Sequence, residues 1–347
     1  MMRCDKLREK ICDSDAVYIS SYPNIFYYSG FTSEDASLVI TKKRQILFTD
    51  SRYTTQAKIE ASDFDVYDIF SDFEKVVKDL GVERLLFEED HITVDEFSKL
   101  NDKFGLKPVP FSKKIKEPRR IKDAEEIKKI SQAEALGDAA FSYILDRIKP
   151  GISEREIAID LEFFMKKNGA RALSFETIAA SGQRGAMPHG VASDKIIKKG
   201  ELLTLDFGCV LDGYCSDMTR TVAIGSIDNK QKEIYEIVLK AQKAALKKLG
   251  AGVLCKDADK AARDVISDAG YGKFFAHATG HSVGVEIHEL PSLSPKSEDI
   301  LEVGNIVTVE PGIYIEDFCG VRIEDLVQIG SENVVNLTKS EKDLLII

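Results

Sequence analysis

Between positions 202 and 222 the chain reads LLTLDFGCVLDGYCSDMTRTV, two runs of apolar and β-branched residues that meet at Asp212-Gly213. The pattern predicts a hairpin, because Asp-Gly suits a two-residue turn that needs positive φ. With those residues as the turn, Leu211 faces Tyr214 and Asp206 faces Thr219. Side chains alternate along a strand, so Asp217 shares the face of Thr219 and becomes a diagonal neighbour of Asp206. A second hairpin is expected in GNIVTVEPGIYIEDFCGVRIEDLVQI, with strands over 306–310 and 321–329 and a loop containing Asp317 between them. Glu310 and Glu324 are equidistant from Asp317, which places them roughly opposite each other.

The first third alternates short strands (16–20, 36–49 broken by a turn at Lys42-Lys43-Arg44, 65–70, 83–89) with helices (5–12, 51–61, 72–80, 94–104), and YPNIFYYSGF reads as an aromatic-rich loop between the first two strands. This alternation predicts an α/β layer domain. Residues 107–123, KPVPFSKKIKEPRRIKD, combine prolines and basic residues without a clear period and read as a solvated linker. The domain boundary is accordingly placed between 1–115, the α/β domain, and 116–347. In the second part, Asp123 with Glu126 and Ser153 with Glu156 have capping-box spacing, which starts one helix running to about Arg147 and another stopped by Gly169. Further helices are expected over 230–249 and 257–269, and the remainder reads mostly as strands. The fold class is α+β, helices around a largely antiparallel sheet.

Composition narrows the picture. A chain of 347 residues with 44% hydrophobic content exceeds one core and fits two domains. A formal net charge of −10 gives no basic surface for nucleic acid. The N-terminus MMRCDKLREK lacks the apolar core of a signal peptide, and no run approaches the ~18 apolar residues of a membrane span. A cytoplasmic protein with no membrane partner is therefore expected. Its six cysteines are scattered, with no CxxC pair, and read as reduced, mostly buried thiols.

Two acids on one buried hairpin face resist ionisation unless something positive lies between them. Either the carboxylates are solvated on an open sheet face or a divalent metal joins them. Between the two hairpins, HATGHSVGVEIHE holds His277, His281 and His288. Thr279, Gly280 and Gly284 argue against a helix there, so His277 and His281 should diverge, with only one of them a ligand. One imidazole among four carboxylates makes a hard, oxygen-rich site, better suited to Mn²⁺ than to structural zinc. Four carboxylates can also neutralise two ions, and the reaction class that follows is metal-assisted hydrolysis.

These residues resemble the Xaa-Pro peptidases, aminopeptidase P and prolidase, which share the pita-bread fold with methionine aminopeptidase. LDFGCVLDGYCSDMTRT, HATGHSVGVEIHE, VEPGIY and VRIED occur in that family's order, and YPNIFYYSGF and LFTDSRYTTQA resemble its creatinase-type N-terminal domain. The resemblance implies two divalent ions, most often Mn²⁺, with Co²⁺ or Zn²⁺ as alternatives. Asp206 would chelate one and His281 and Glu310 the other, with Asp217 and Glu324 bridging. Glu310 would also accept a proton from the shared hydroxide. His189 (in SGQRGAMPHG), His277 and His288 would contact substrate or the developing oxyanion, and Arg322 would orient the carboxylates. The implied substrates are proline-containing peptides, and relatives are commonly homodimers.

Two departures stand out. Ala278 follows His277 where the family more often has Gly. In HELPSLSP, Ser292 takes the place at which some prolidases carry an arginine that can pair with a dipeptide's free carboxylate. The expected activity is therefore release of the N-terminal residue from peptides with proline second. A strict Xaa-Pro dipeptidase is the nearest alternative, and a non-catalytic binding protein on the same fold a remote one.

Overall fold

Six short strands form one mixed sheet in the first unit of the computed structural model, which describes residues 3–347 and divides after Arg119. Asp15–Ile19, Ala36–Ile40 and Gln45–Thr49 pair antiparallel with their chain neighbours, whereas Asp65–Asp68, Arg84–Phe87 and Lys107–Pro110 join in parallel. Parallel pairing needs a crossover, and a helix intervenes before each of these three strands. Val39, Ile46, Phe48 and Leu85 pack with Phe73, Val76 and Val77 of the helix Phe73–Asp79.

Two expectations fail in this unit. YPNIFYYSGF is no loop: Tyr22–Ser29 is a helix with Pro23 in its first turn and Gly30, at φ +76°, ending it. Proline and glycine at those two places are terminus signals, and burial of Ile25, Phe26, Tyr27 and Tyr28 outweighs the modest helix propensity of aromatic residues. Residues 107–123 are no bare linker either. Lys107–Pro110 is the edge strand of the sheet, where a proline costs no ladder bond, and Ser112–Lys116 is a short helix.

In the second unit, Ala124–Leu145 and Glu154–Lys167 each start with a complete capping box, at Asp123/Glu126 and Ser153/Glu156. Phe141, Ile144, Ile157 and Leu161 from this pair pack with Leu203, Leu205 and Phe207. A second pair, Asn229–Lys248 and Cys255–Asp268, packs Ile234, Val238, Ala258 and Ala262 with Val307, Val309 and Val327. The order helix, helix, hairpin thus occurs twice. No helix among the described residues is long and apolar enough to cross a membrane.

The first hairpin has the expected register, with Asp206 opposite Thr219 and Leu211 opposite Tyr214. Asp212 and Gly213 make the turn at φ +48° and +80°. The ladder parts midway: Leu202–Phe207 with Met218–Ala223 joins the strand Ile178–Ser181, and Cys209–Leu211 with Tyr214–Cys215 joins Ala172–Leu173. Gly208 sits at the parting, where a Cβ would lie 2.0 Å from the Ser216 carbonyl oxygen, so no larger residue fits. The second hairpin parts in the same way. Ile306–Val309 pairs with Asp325–Ile329, and Gly312–Ile315 with Cys319–Arg322, about a turn holding Asp317 at φ +57°. The loop expected there is therefore mostly strand, and Glu310 and Glu324 fall on one register line between its two ladders.

Candidate metal centre

Asp217 and Glu324 lie where the two ladders part, and with His281 they form the core of the site. One donor atom from each of these three falls within 4.8 Å of the others. Backbone groups freed from the ladders are taken up nearby: Asp217 N–H donates to the Glu134 carboxylate at 3.2 Å, and Glu324 N–H to Thr219 O at 3.1 Å. His281 comes from the strand Gly280–Ser282, its Nε2 lying 3.5 Å from Asp217 Oδ2 and 3.3 Å from Glu310 Oε1. Thr308 steadies that group, donating from Oγ1 to Glu310 Oε1 at 3.1 Å while accepting the His281 N–H.

Asp206 and Glu310 stand outside the triad. Asp206 Oδ2 accepts from Arg322, while its Oδ1 is buried with no hydrogen-bond partner. Arg322 is itself buried and also donates to Thr219 Oγ1 (3.1 Å), Tyr314 Oη (2.7 Å) and Pro188 O (3.2 Å). Thr219 Oγ1 donates in turn to Glu324 Oε2 at 2.7 Å.

Burial dominates the electrostatics. It pushes Asp217 well above the usual carboxylate range, and the charges of Glu324 and Asp206 add to the shift. Glu324 is raised by burial, with Glu310 and Asp206 beside it. Asp206 is raised by burial, which the Arg322 guanidinium offsets only in part. Glu310 is the exception: burial raises it, but the His281 bond and charge, with His277 and Arg322, hold it at about 2. Burial also pulls His281 down, yet Glu310 outweighs that and keeps it above the ordinary imidazole value. Three buried acids that resist ionisation, an orphaned carboxylate oxygen and an imidazole among them together fit a divalent cation.

The other histidines divide into two kinds. His277 diverges from His281 as expected, and both its nitrogens are engaged, Nδ1 with Ala278 O at 2.7 Å and Nε2 with Tyr314 Oη at 3.0 Å. Arg322 has only donors, so the phenol accepts from it and donates to His277 Nε2. Burial pushes Tyr314 up to about 12, which keeps that proton in place. His288 and His189 are exposed. The His288 ring stands 4.4 Å from that of His281, edge to face. Sequence reasoning gave no role to Tyr314, Thr219 or Thr308. The signal was there for Thr219, which the register places across from Asp206.

Two ladder partings that carry acids around one imidazole, beneath two helix pairs, define a metal-dependent protein with a hydrolytic type of centre. Comparison with known proteins agrees. Residues 128–331 match the metallopeptidase family M24 and residues 3–121 the creatinase/prolidase N-terminal domain. An uncharacterized peptidase of Bacillus subtilis, YqhT, is 42% identical, with all of both chains covered. Among solved structures, the Xaa-Pro dipeptidase from Bacillus anthracis superposes with a TM-score of 0.96 at 42% identity, covering 99% of each chain. The X-Pro aminopeptidase from Thermotoga maritima gives 0.92 at 38% identity, covering 98% of this chain and 99% of that one. The chain belongs to metallopeptidase family M24, and its likeness to the Xaa-Pro peptidases extends over both units and the pita-bread fold. Family membership implies a divalent metal, and Asp217, His281 and Glu324 can hold one.

Proposed function

We propose that this chain is an exopeptidase that hydrolyses Xaa-Pro bonds, releasing the N-terminal residue from peptides with proline second. The observation that carries the reading is the triad of buried Asp217 and Glu324 with partly buried His281, and the unpartnered Asp206 Oδ1. The relatives named for Xaa-Pro hydrolysis supply the substrate class.

Asp206 would hold one ion, His281 and Glu310 a second, and Asp217 and Glu324 both. When bound, the ions, Mn²⁺ in our reading, supply Lewis acidity and the positive charge that lets crowded carboxylates ionise. Glu310, kept ionised by the His281 bond and charge and lying 3.3 Å from His281 Nε2, is the carboxylate placed to accept a proton from the attacking water. The exposed His189 and His288 are free to donate to the carbonyl oxygen as charge develops on it. His277 holds the Tyr314 hydroxyl, and through it Arg322, against the carboxylates.

A strict dipeptidase is the second reading, favoured by the name of the Bacillus anthracis relative. Against it stands Ser292, which lies directly across the ladder from His281 with its hydroxyl on Gly280 O at 3.2 Å. A hydroxyl there offers no charge to a dipeptide's carboxylate. The test is to strip the protein with chelator, restore Mn²⁺, and compare rates on an Xaa-Pro dipeptide and on Xaa-Pro-Yaa peptides with the same first residue. Faster cleavage of the longer peptides is expected. Cleavage of the dipeptide alone would establish the second reading, and no Mn²⁺-dependent cleavage of either would overturn both.

A further inference from the structure

The loops that carry His189, His277 and His288 share one construction. Each is folded around a buried carboxylate, and each carboxylate is paired with a cation. Glu154 accepts Ser181 N–H (2.8 Å) and Ser193 N–H (3.2 Å), the two flanks of the His189 loop, and pairs with Arg184 at 2.6 Å; Arg184 also donates to Val191 O at 2.8 Å. Asp259 accepts Thr279 N–H (3.1 Å) and pairs with Arg263 at 2.8 Å, and Arg263 reaches His277 O at 2.8 Å. Glu289 accepts Val285 and Glu286 N–H (3.0 and 3.2 Å) and pairs with Lys122 at 3.1 Å, whose Nζ also donates to Ser282 Oγ at 2.7 Å.

The physical logic is the same each time. A loop that leaves regular structure turns polar groups inward, and a buried carboxylate takes more than one at once: two N–H groups at Glu154 and at Glu289, and at Asp259 the Thr279 hydroxyl (2.9 Å) with the Thr279 N–H, which is shared with Leu293 O. Burying that charge is tolerable only with a partner close by. The fit is tight around Glu289, where a Cβ on Gly284 would come within 2.5 Å of the carboxylate. The Lys122 side chain is 1% exposed and comes from 167 residues away in the chain.

From this recurrence we infer that Glu154–Arg184, Asp259–Arg263 and Lys122–Glu289 are positioning pairs, one for each histidine loop, that set where the imidazoles stand without holding the metal. The inference rests on the proposed contacts of His189 and His288 with substrate.

Double-mutant cycles test it. Lys122→Met and Arg184→Met are each combined with His288→Ala and with His189→Ala, and kcat/KM on an Xaa-Pro-Yaa peptide is measured together with Mn²⁺ content. Each methionine variant should lose about tenfold to a hundredfold in kcat/KM, the scale of a side chain misplaced by about an ångström, with Mn²⁺ content unchanged. The loss should nearly vanish in the matched background, Lys122→Met with His288→Ala or Arg184→Met with His189→Ala, and persist in the crossed ones. Lys122→Arg, which keeps the cation, should recover most of the activity. Equal losses in matched and crossed backgrounds, or activity lost in step with Mn²⁺, would overturn the inference. A His288→Ala variant as active as the parent would instead overturn the reading of that histidine. If Lys122→Met does not fold, Glu289→Gln carries the same cycle.

Discussion

At the scale of single residues, a carboxylate buried beside others is a burden until a cation joins it, and Asp217 and Glu324 both bear it. The pKa of Asp217 lies well above the ordinary 3.8, and that of Glu324 well above 4.5. Without metal, the folded protein therefore keeps protons that the unfolded chain gives up near those values. Stability from these groups is complete below about pH 4 and is lost as pH rises toward the raised folded values. Metal-free protein should melt at falling temperature between pH 5 and 8, and Asp217→Asn should flatten that slope. The same substitution should stabilise the metal-free form by roughly 1–2 kcal/mol while lowering kcat/KM at least about 100-fold. Thermal melts across pH, with and without Mn²⁺, decide the matter; a metal-free parent that grows more stable toward pH 8 would refute it. Asp206 and Asp217 were legible because alternation and an Asp-Gly turn fix which side chains share a face. Lys122 was not, since nothing in local periodicity says that a lysine in a basic, proline-bearing stretch will end buried on Glu289.

At the scale of elements, both hairpins were legible in register, but neither parting was read, although Pro311, which has no N–H to give a ladder, marks the second. The reason for the first is steric and local. At Gly208 the backbones approach so closely that a Cβ would meet Ser216 O at 2.0 Å, and the parting leaves Asp217 outside either ladder. Gly208→Ala should cost about 3 kcal/mol in urea unfolding and weaken Mn²⁺ binding as well. Gly252, at φ +86° with open space around it, provides the control: alanine there should cost only about 1 kcal/mol and leave metal affinity alone. The Tyr22–Ser29 helix was missed because a run of aromatic residues has no face to read, although Pro23 and Gly30 marked both its ends.

At the scale of the whole molecule, the two-part organisation showed in the change from strand–helix alternation to capped helices and hairpins. The recurrence of helix, helix, hairpin did not, because it repeats in the order of elements and not in residues. What joins the two hairpins also came from far apart in the chain. Arg220, 1% exposed, donates to Thr219 O and Glu324 O, pairs with Asp325 at 2.9 Å, and reaches Ser340 O and Glu341 O near the C-terminus. Arg220→Met should therefore destabilise the protein by about 3 kcal/mol, the cost of leaving Asp325 short of a buried partner, and should lower Mn²⁺ affinity although no atom of Arg220 faces the site. Isothermal titration with Mn²⁺ and urea unfolding of the same preparation would check both, and an unchanged affinity would show that the hairpins hold their spacing unaided.

The strand from Met218 to Ala223 has a further consequence. Along it Thr219 and Thr221 face the site while Arg220 locks the back, and every residue from Ser216 to Ile224 is buried. Chemistry has claimed one side and architecture the other, so no position is left over to drift. A library randomised here and selected for activity should return almost the parental letters, whereas one randomised at Lys260, Asp264 and Ser267 on an outer helix should return nearly anything.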